Sequence, residues 1–225
     1  MKPMNLKHLY LPVILGFISF LPLIGQETSV SYDLVSLSEN NKLEVFNRKV
    51  STFSDKDKKG IRFSKNESDG VAWLRHVIFS NGIIELDIRG KVEFQKSFVG
   101  VAFHGTDNNT LDAIYFRPFN FQSDDSVHKI HAVQYISMPD YPWEVLREKF
   151  NGIYEKAIIP APDGNDWFHV RIIVKYPQIT VFVNGNKEPC LSIEKLNNWT
   201  SGKIGFWVGN NSDGDFANLQ IMSLN

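Results

Sequence analysis

The chain has 225 residues, a net charge of −1 and one cysteine. The balance of 24 Lys and Arg against 25 Asp and Glu gives no basis for nucleic-acid binding or for adhesion to an anionic membrane surface. A lone Cys190 excludes an intrachain disulfide and reads as a small buried filler.

The N-terminus comes first. Lys2, Lys7 and His8 precede an apolar run over residues 9–24, and Gly25-Gln26 follows. This pattern predicts a cleaved secretory signal over residues 1–26. The run is short for a membrane span and carries Pro12 and Pro22, so no stable membrane insertion is expected after cleavage. Residues 27–225 then form a single domain, and the loss of Lys2 and Lys7 lowers the net charge to −3. The expected location is secreted or periplasmic, in a bacterium.

Beyond residue 40 nearly every segment has strand character. The predicted strands are 43–53, 60–64, 70–77, 82–89, 97–104, 111–119, 130–138, 167–176, 178–184, 202–209 and 215–223. Turns rich in Asn, Asp and Gly separate many of them, as at residues 80–82, 106–110, 163–165, 184–186 and 210–214. Residues 142–150 (PWEVLREKF) predict one short helix, with Pro142 at its first position and Glu144 in its first turn. Many short strands at this spacing argue for an all-β sandwich or barrel with one short helix.

The most informative segment is 97–121 (SFVGVAFHGTDNNTLDAIYFRPFNF). Side chains alternate across a strand, so Val99, Val101, Phe103, Ile114 and Phe116 are expected on a core face. His104, Tyr115 and Arg117 are then expected together on the opposite face. Elsewhere Ile84, Leu86 and Ile88 oppose Glu85, Asp87 and Arg89. Ala72 and Leu74 oppose Trp73 and Arg75, and Phe206 opposes Trp207. Aromatic and arginine side chains on such faces point to binding. The 130–138 strand leaves its register open: either Gln134 or the His131–Tyr135 side faces outward.

Several segments carry a family resemblance: 82–87 (GIIELD), 98–104 (FVGVAFH), 115–121 (YFRPFNF), 134–143 (QYISMPDYPW), 166–170 (DWFHV), 181–184 (VFVN), 202–206 (GKIGF) and 214–221 (GDFANLQI). In order and spacing these resemble the 3-keto-disaccharide hydrolase domains, a group of concanavalin A-like lectin/glucanase jelly rolls, over roughly residues 40–225. The resemblance implies an all-β, two-sheet antiparallel β-sandwich of jelly-roll type with a sugar in a concave groove, and hydrolase- or lyase-type cleavage of a 3-keto-glycoside. Two departures matter. Glu85-Leu86-Asp87 begins like the paired-glutamate strand of sandwich β-glucanases but lacks the second acid that retaining hydrolysis requires about 5 Å from the first. Phe216-Ala217-Asn218 stands where similar domains have Phe-Asp-Asn.

The expected catalytic groups are His104 as acid/base, Arg117 as anion stabiliser and Glu85 as base. Tyr115, Asp87, Arg75, Trp73, Gln134, Tyr141, Trp143 and Trp207 are the expected ligand-binding residues, the aromatic rings stacking on sugar faces. Trp167 is read as core. Asn210, Asn211, Asp213 and Asp215 form an oxygen-rich turn, the basis for a candidate Ca2+ site, structural or catalytic; no other cofactor is called for. The expected partner is a carbohydrate, bound either for cleavage or, as the alternative, by a non-catalytic glycan-binding module.

Overall fold

The computed structural model describes residues 29–55 and 58–224. The expected signal sequence therefore lies outside the described residues. Strands and helices are numbered in chain order. An eight-stranded sheet runs β13 (Leu191–Glu194), β12 (Gln178–Val183), β11 (Phe168–Lys175), β6 (Gly82–Arg89), β15 (Gly214–Ser223), β4 (Lys59–Phe63), β3 (Val50–Ser54), with β1 (Ser29–Ser31) also paired to β15. A seven-stranded sheet runs β10 (Glu155–Lys156), β9 (Val133–Met138), β8 (Leu111–Phe116), β7 (Val99–Gly105), β14 (Gly202–Val208), β5 (Gly70–Phe79), β2 (Leu43–Phe46). Every described pairing is antiparallel. Four short helices, α1 (Leu34–Glu39), α2 (Pro118–Phe121), α3 (Ser126–Lys129) and α4 (Trp143–Lys149), sit in the connections.

The alternation of the strands builds the core. Ile84, Leu86 and Ile88 of β6 and Val170, Ile172 and Val174 of β11 face Val99, Val101, Ile114, Phe116 and Phe206 of the other sheet, all buried. Phe116 meets Phe168 with ring centroids 5.2 Å apart, and Phe63 meets Phe216 at 5.3 Å. Each such side chain contributes about 1.5–3 kcal/mol through burial alone. Two outward-facing polar sides remain, as in antiparallel sandwiches generally.

Local chemistry moves several predicted boundaries. The 43–53 strand is two strands in different sheets. The chain breaks at Asn47, which adopts φ 53° and donates its amide to Glu67 O and Asp69 O. The 111–119 strand stops at Phe116, because Pro118 lacks an N–H for a ladder and instead opens α2. Pro142 caps α4 from outside rather than occupying its first turn. Trp167 is not core: it lies half-buried on the outer face of the eight-stranded sheet, stacked on Phe53 at 5.8 Å with the Arg89 guanidinium 4.6 Å from its ring.

A groove on the seven-stranded sheet as candidate functional site

The outer face of the seven-stranded sheet is hollowed into two adjoining cavities of about 580 and 630 Å³, which share Asp69, Met138 and Trp207 as lining. The pairing of β8 with β9 sets Tyr115 opposite Gln134 on this face, and Arg117 follows β8 by one residue. Trp207 of β14 packs on Tyr115 with ring centroids 4.9 Å apart. Phe98 comes edge-on to Tyr115 at 6.2 Å. The helix α4 forms a rim that brings Trp143, Glu144 and Arg147 to the cavity.

One ion-pair network holds this end of the groove. Arg117 Nη2 donates to the Tyr115 hydroxyl at 2.6 Å and to Gln134 Oε1, and Nη1 donates to His131 O at 3.0 Å. The Tyr115 hydroxyl itself donates to Gln134 Oε1 at 3.1 Å. Glu155 of β10, buried behind the wall, receives Arg147 through two hydrogen bonds of 3.0 and 2.8 Å and lies 3.6 Å from Arg117 Nη1. His131 Nδ1 lies 2.7 Å from Glu155 Oε2. Burial pushes the Tyr115 phenol up to about 12, against the pull of Arg117, so it stays a hydroxyl donor. Burial also opposes ionisation of Glu155, but Arg147, His131 and Arg117 outweigh it and hold the carboxyl below its ordinary range. Desolvation lowers His131 despite Glu155, favouring the neutral imidazole.

The structure thus brings together Tyr115, Arg117, Gln134, Trp143 and Trp207, and settles the open register: Gln134 faces the groove side and Tyr135 the core. Tyr141 is half-buried against Phe150 at 6.4 Å and does not line either cavity. Arg75 is exposed on β5 and lines neither cavity. Trp73 is fully buried: the turn after β7 closes over it, and its indole N–H donates to Asn108 Oδ1 at 2.9 Å. A ring in that position packs the turn and offers no face to a sugar.

His104 departs furthest from expectation. Between β7 and β14 the register shifts, so Phe103 and His104 together oppose Ile204. His104 takes φ 51° in this bulge, which interrupts the alternation and turns the imidazole inward. It is 0% exposed and stacks on Phe79 at 5.8 Å. Its Nε2 meets Ser80 O at 3.0 Å and its Nδ1 meets Lys195 Nζ at 2.6 Å. Lysine only donates and a carbonyl only accepts, so the ring is the neutral Nε2–H tautomer with both nitrogens engaged. Lys195 also donates to Asp112 and to Trp199 O, and Asp112 receives Tyr135 and Asn197. His104 is therefore part of a closed polar plug inside the sandwich, away from Tyr115 and Arg117.

Glu85 and Asp87 lie on the other sheet, facing outward on the opposite side of the molecule. Glu85 pairs with Arg171 at 3.1 Å. Asp87 receives Lys58 at 2.7 Å, Asn218 at 2.6 Å and His169 at 2.9 Å. The expectation that they share the hairpin's face fails because β6 and β8 belong to different sheets.

The oxygen-rich turn does not fit Ca2+. Asp213 is paired with Lys91, and Asp215 with Arg62 at 2.6 Å and Arg89 at 2.7 Å. Asn210 Oδ1 accepts from Ser68 N at 2.7 Å. Three cationic side chains already occupy the carboxylates an ion would need. Among the described residues no group of three or more His, Cys, Asp or Glu is placed to hold a metal.

Sequence reasoning missed Arg147, Glu155, Asp69, Asn120 and His131. Arg147 carried a signal, standing one turn after Trp143 on the predicted helix; its guanidinium lies 4.8 Å from that ring. Glu155 carried none, because β10 is a two-residue edge strand.

No family model and no curated protein matches this chain. Solved structures do share its fold. A carbohydrate-binding module, CBM66 from Bacillus subtilis, aligns at 13% identity and TM-score 0.57, covering 80% of this chain and 94% of that one. A Bacillus subtilis protein of unknown function with a galectin-like fold aligns at 14% identity and TM-score 0.56, covering 87% and 96%. The VIP36 exoplasmic/lumenal domain in its Ca2+/Man3GlcNAc-bound form aligns at 12% identity and TM-score 0.52, covering 83% and 85%. The chain shares with these structures a jelly-roll fold of two antiparallel β-sheets.

Proposed function

We propose that this protein is a non-catalytic glycan-binding module whose ligand lies in the groove of the seven-stranded sheet. One observation carries the reading: Tyr115, Trp143 and Trp207 stay in the groove with Arg117, while the two expected acid–base groups, His104 and Glu85, leave it. Trp143, Trp207, Tyr115 and Arg117 line the cavity. His104 is sealed in the core, and Glu85 stands on the far sheet. The exposed Trp143 ring, the nearly buried Trp207 and Tyr115 rings and the fixed Arg117 guanidinium offer the chemistry of sugar recognition, apolar C–H faces on aromatics and hydroxyls on polar groups. The description of CBM66 as a carbohydrate-binding module and the Man3GlcNAc bound to VIP36, on the same fold, support this reading. The signal-like residues 1–26 support action outside the cytoplasm.

A glycan array followed by calorimetry tests it. Binding is expected, with Trp143→Ala weakening it about tenfold, on the scale of a lost aromatic anchor. Incubation with 3-keto-glycosides is expected to release no aglycone. Release, abolished by Arg117→Ala, would instead establish the cleavage that the family resemblance implies.

A further inference from the structure

We infer that the groove takes a neutral oligosaccharide laid along both cavities, with one sugar residue anchored beside Arg117 by the side-chain oxygen of Asn120. The inference rests on the glycan-binding reading and names the ligand class of that same groove.

Asn120 supplies the anchor. It is 4% exposed and lines the cavity with Arg117 and His131. Its Nδ2 donates to His131 O at 3.1 Å, which fixes the orientation of the amide, and its Oδ1 has no partner. A buried acceptor left unpaired is costly, so a ligand that supplies a donor gains by pairing it. A sugar hydroxyl carries that donor; a carboxylate or sulfate does not.

Charge points the same way. Arg117 and Arg147 converge on Glu155, and Asp69 lies in the lining that the two cavities share. Glu144 on the rim adds a third carboxylate. The two guanidiniums of this wall, Arg117 and Arg147, therefore stand against three carboxylates, Glu155, Asp69 and Glu144, with no excess of guanidinium charge for an anionic sugar. Length follows from the lining: Asn120 and Trp143 belong to one cavity and Phe46 and Asn109 to the other, while Asp69, Met138 and Trp207 belong to both. Phe46 is 42% exposed at the edge strand β2, a second ring for a distal sugar.

Calorimetry on the full chain would use gluco-, manno-, galacto- and xylo-oligosaccharides of one to six residues, with oligogalacturonates as the anionic series. For the neutral series that binds, affinity is expected to rise at least tenfold from monosaccharide to tetrasaccharide. Phe46→Ala should remove most of that gain. Asn120→Ala should weaken every length about tenfold, with thermal unfolding as the check on its fold. Glu144→Lys, on the exposed rim, should raise oligogalacturonate binding above that of the unsubstituted protein. Oligogalacturonate binding equal to the neutral series, a monosaccharide bound as tightly as the tetrasaccharide, or a folded Asn120→Ala protein with unchanged affinity would each overturn the inference while leaving glycan binding in place. No binding to any probe overturns the glycan-binding reading itself.

Discussion

His104 shows how one backbone angle redirects a side chain's role. Strict alternation would set it beside Tyr115; the bulge at φ 51° sets it against Lys195 and Asp112 instead. Its removal therefore acts on stability. His104→Ala leaves Lys195 short of an acceptor and is expected to cost about 1–3 kcal/mol in urea denaturation, with glycan affinity intact. Lys195→Met should cost more, about 3–5 kcal/mol, because it strands the buried Asp112 carboxylate. A loss of affinity without loss of stability in His104→Ala would return the imidazole to the functional site. Cys190 behaves as read: half-buried, its thiol hydrogen-bonded to Val181 O and pushed up to about 12 by burial, it is a poor nucleophile.

Among elements, the β6–β11 pairing carries a pH signature. Asp87 and His169 are register partners, and Lys58 and Asn218 complete the carboxylate's shell. Desolvation pushes Asp87 up, but the hydrogen bonds from His169, Lys58 and Asn218 prevail and hold it at about 2. The same hydrogen bond outweighs desolvation at His169 and raises the imidazole above its ordinary value. The two signs differ. Asp87, depressed in the fold, stabilises fully above its unfolded value of about 3.9, and that contribution is lost as pH falls toward about 2. His169, raised in the fold, stabilises fully below about 6.5, and its contribution is lost as pH rises through the folded value. Denaturation midpoints are thus expected to be highest between about pH 4 and 6.5, and His169→Gln should flatten the alkaline side of that profile. Asp112 and Asp215, also held low against burial by their cationic partners, add to the acid limb. A wild-type profile flat from pH 2 to 8 would contradict this assignment. At the groove, α4 depends on Arg147 bridging Glu155 and the Trp143 ring. Arg147→Ala should weaken glycan binding more than it lowers the unfolding temperature, because it frees the rim rather than the core.

At the scale of the whole molecule, the sandwich separates two polar faces that the sequence presents in the same alternating code. The strands themselves were legible: β6 spans the predicted 82–89, and the predicted core sides of β6, β8 and β14 are buried. Tyr115 and Arg117 were legible as a pair because they alternate along one strand, whereas Gln134 joined them only through the pairing of β8 with β9. Glu85 and Asp87 were misplaced because a strand's own pattern says which side faces the core but not which of two sheets it joins. The break at Asn47 was lost for the same reason: both halves alternate, and only their partners differ. Trp73 was misread because outward-facing and exposed are separate properties, and the 106–110 turn that covers it is close only in space. The sequence by itself therefore determined most of the strands and the all-β class, since these follow from period-two alternation and local turn chemistry. Tertiary structure alone decided which polar residues share the groove, that His104 lies in the core, and that Glu155 and Asn120 complete the site. Those outcomes depend on sheet partnership, a register shift and edge contacts, all interactions between segments distant in the chain.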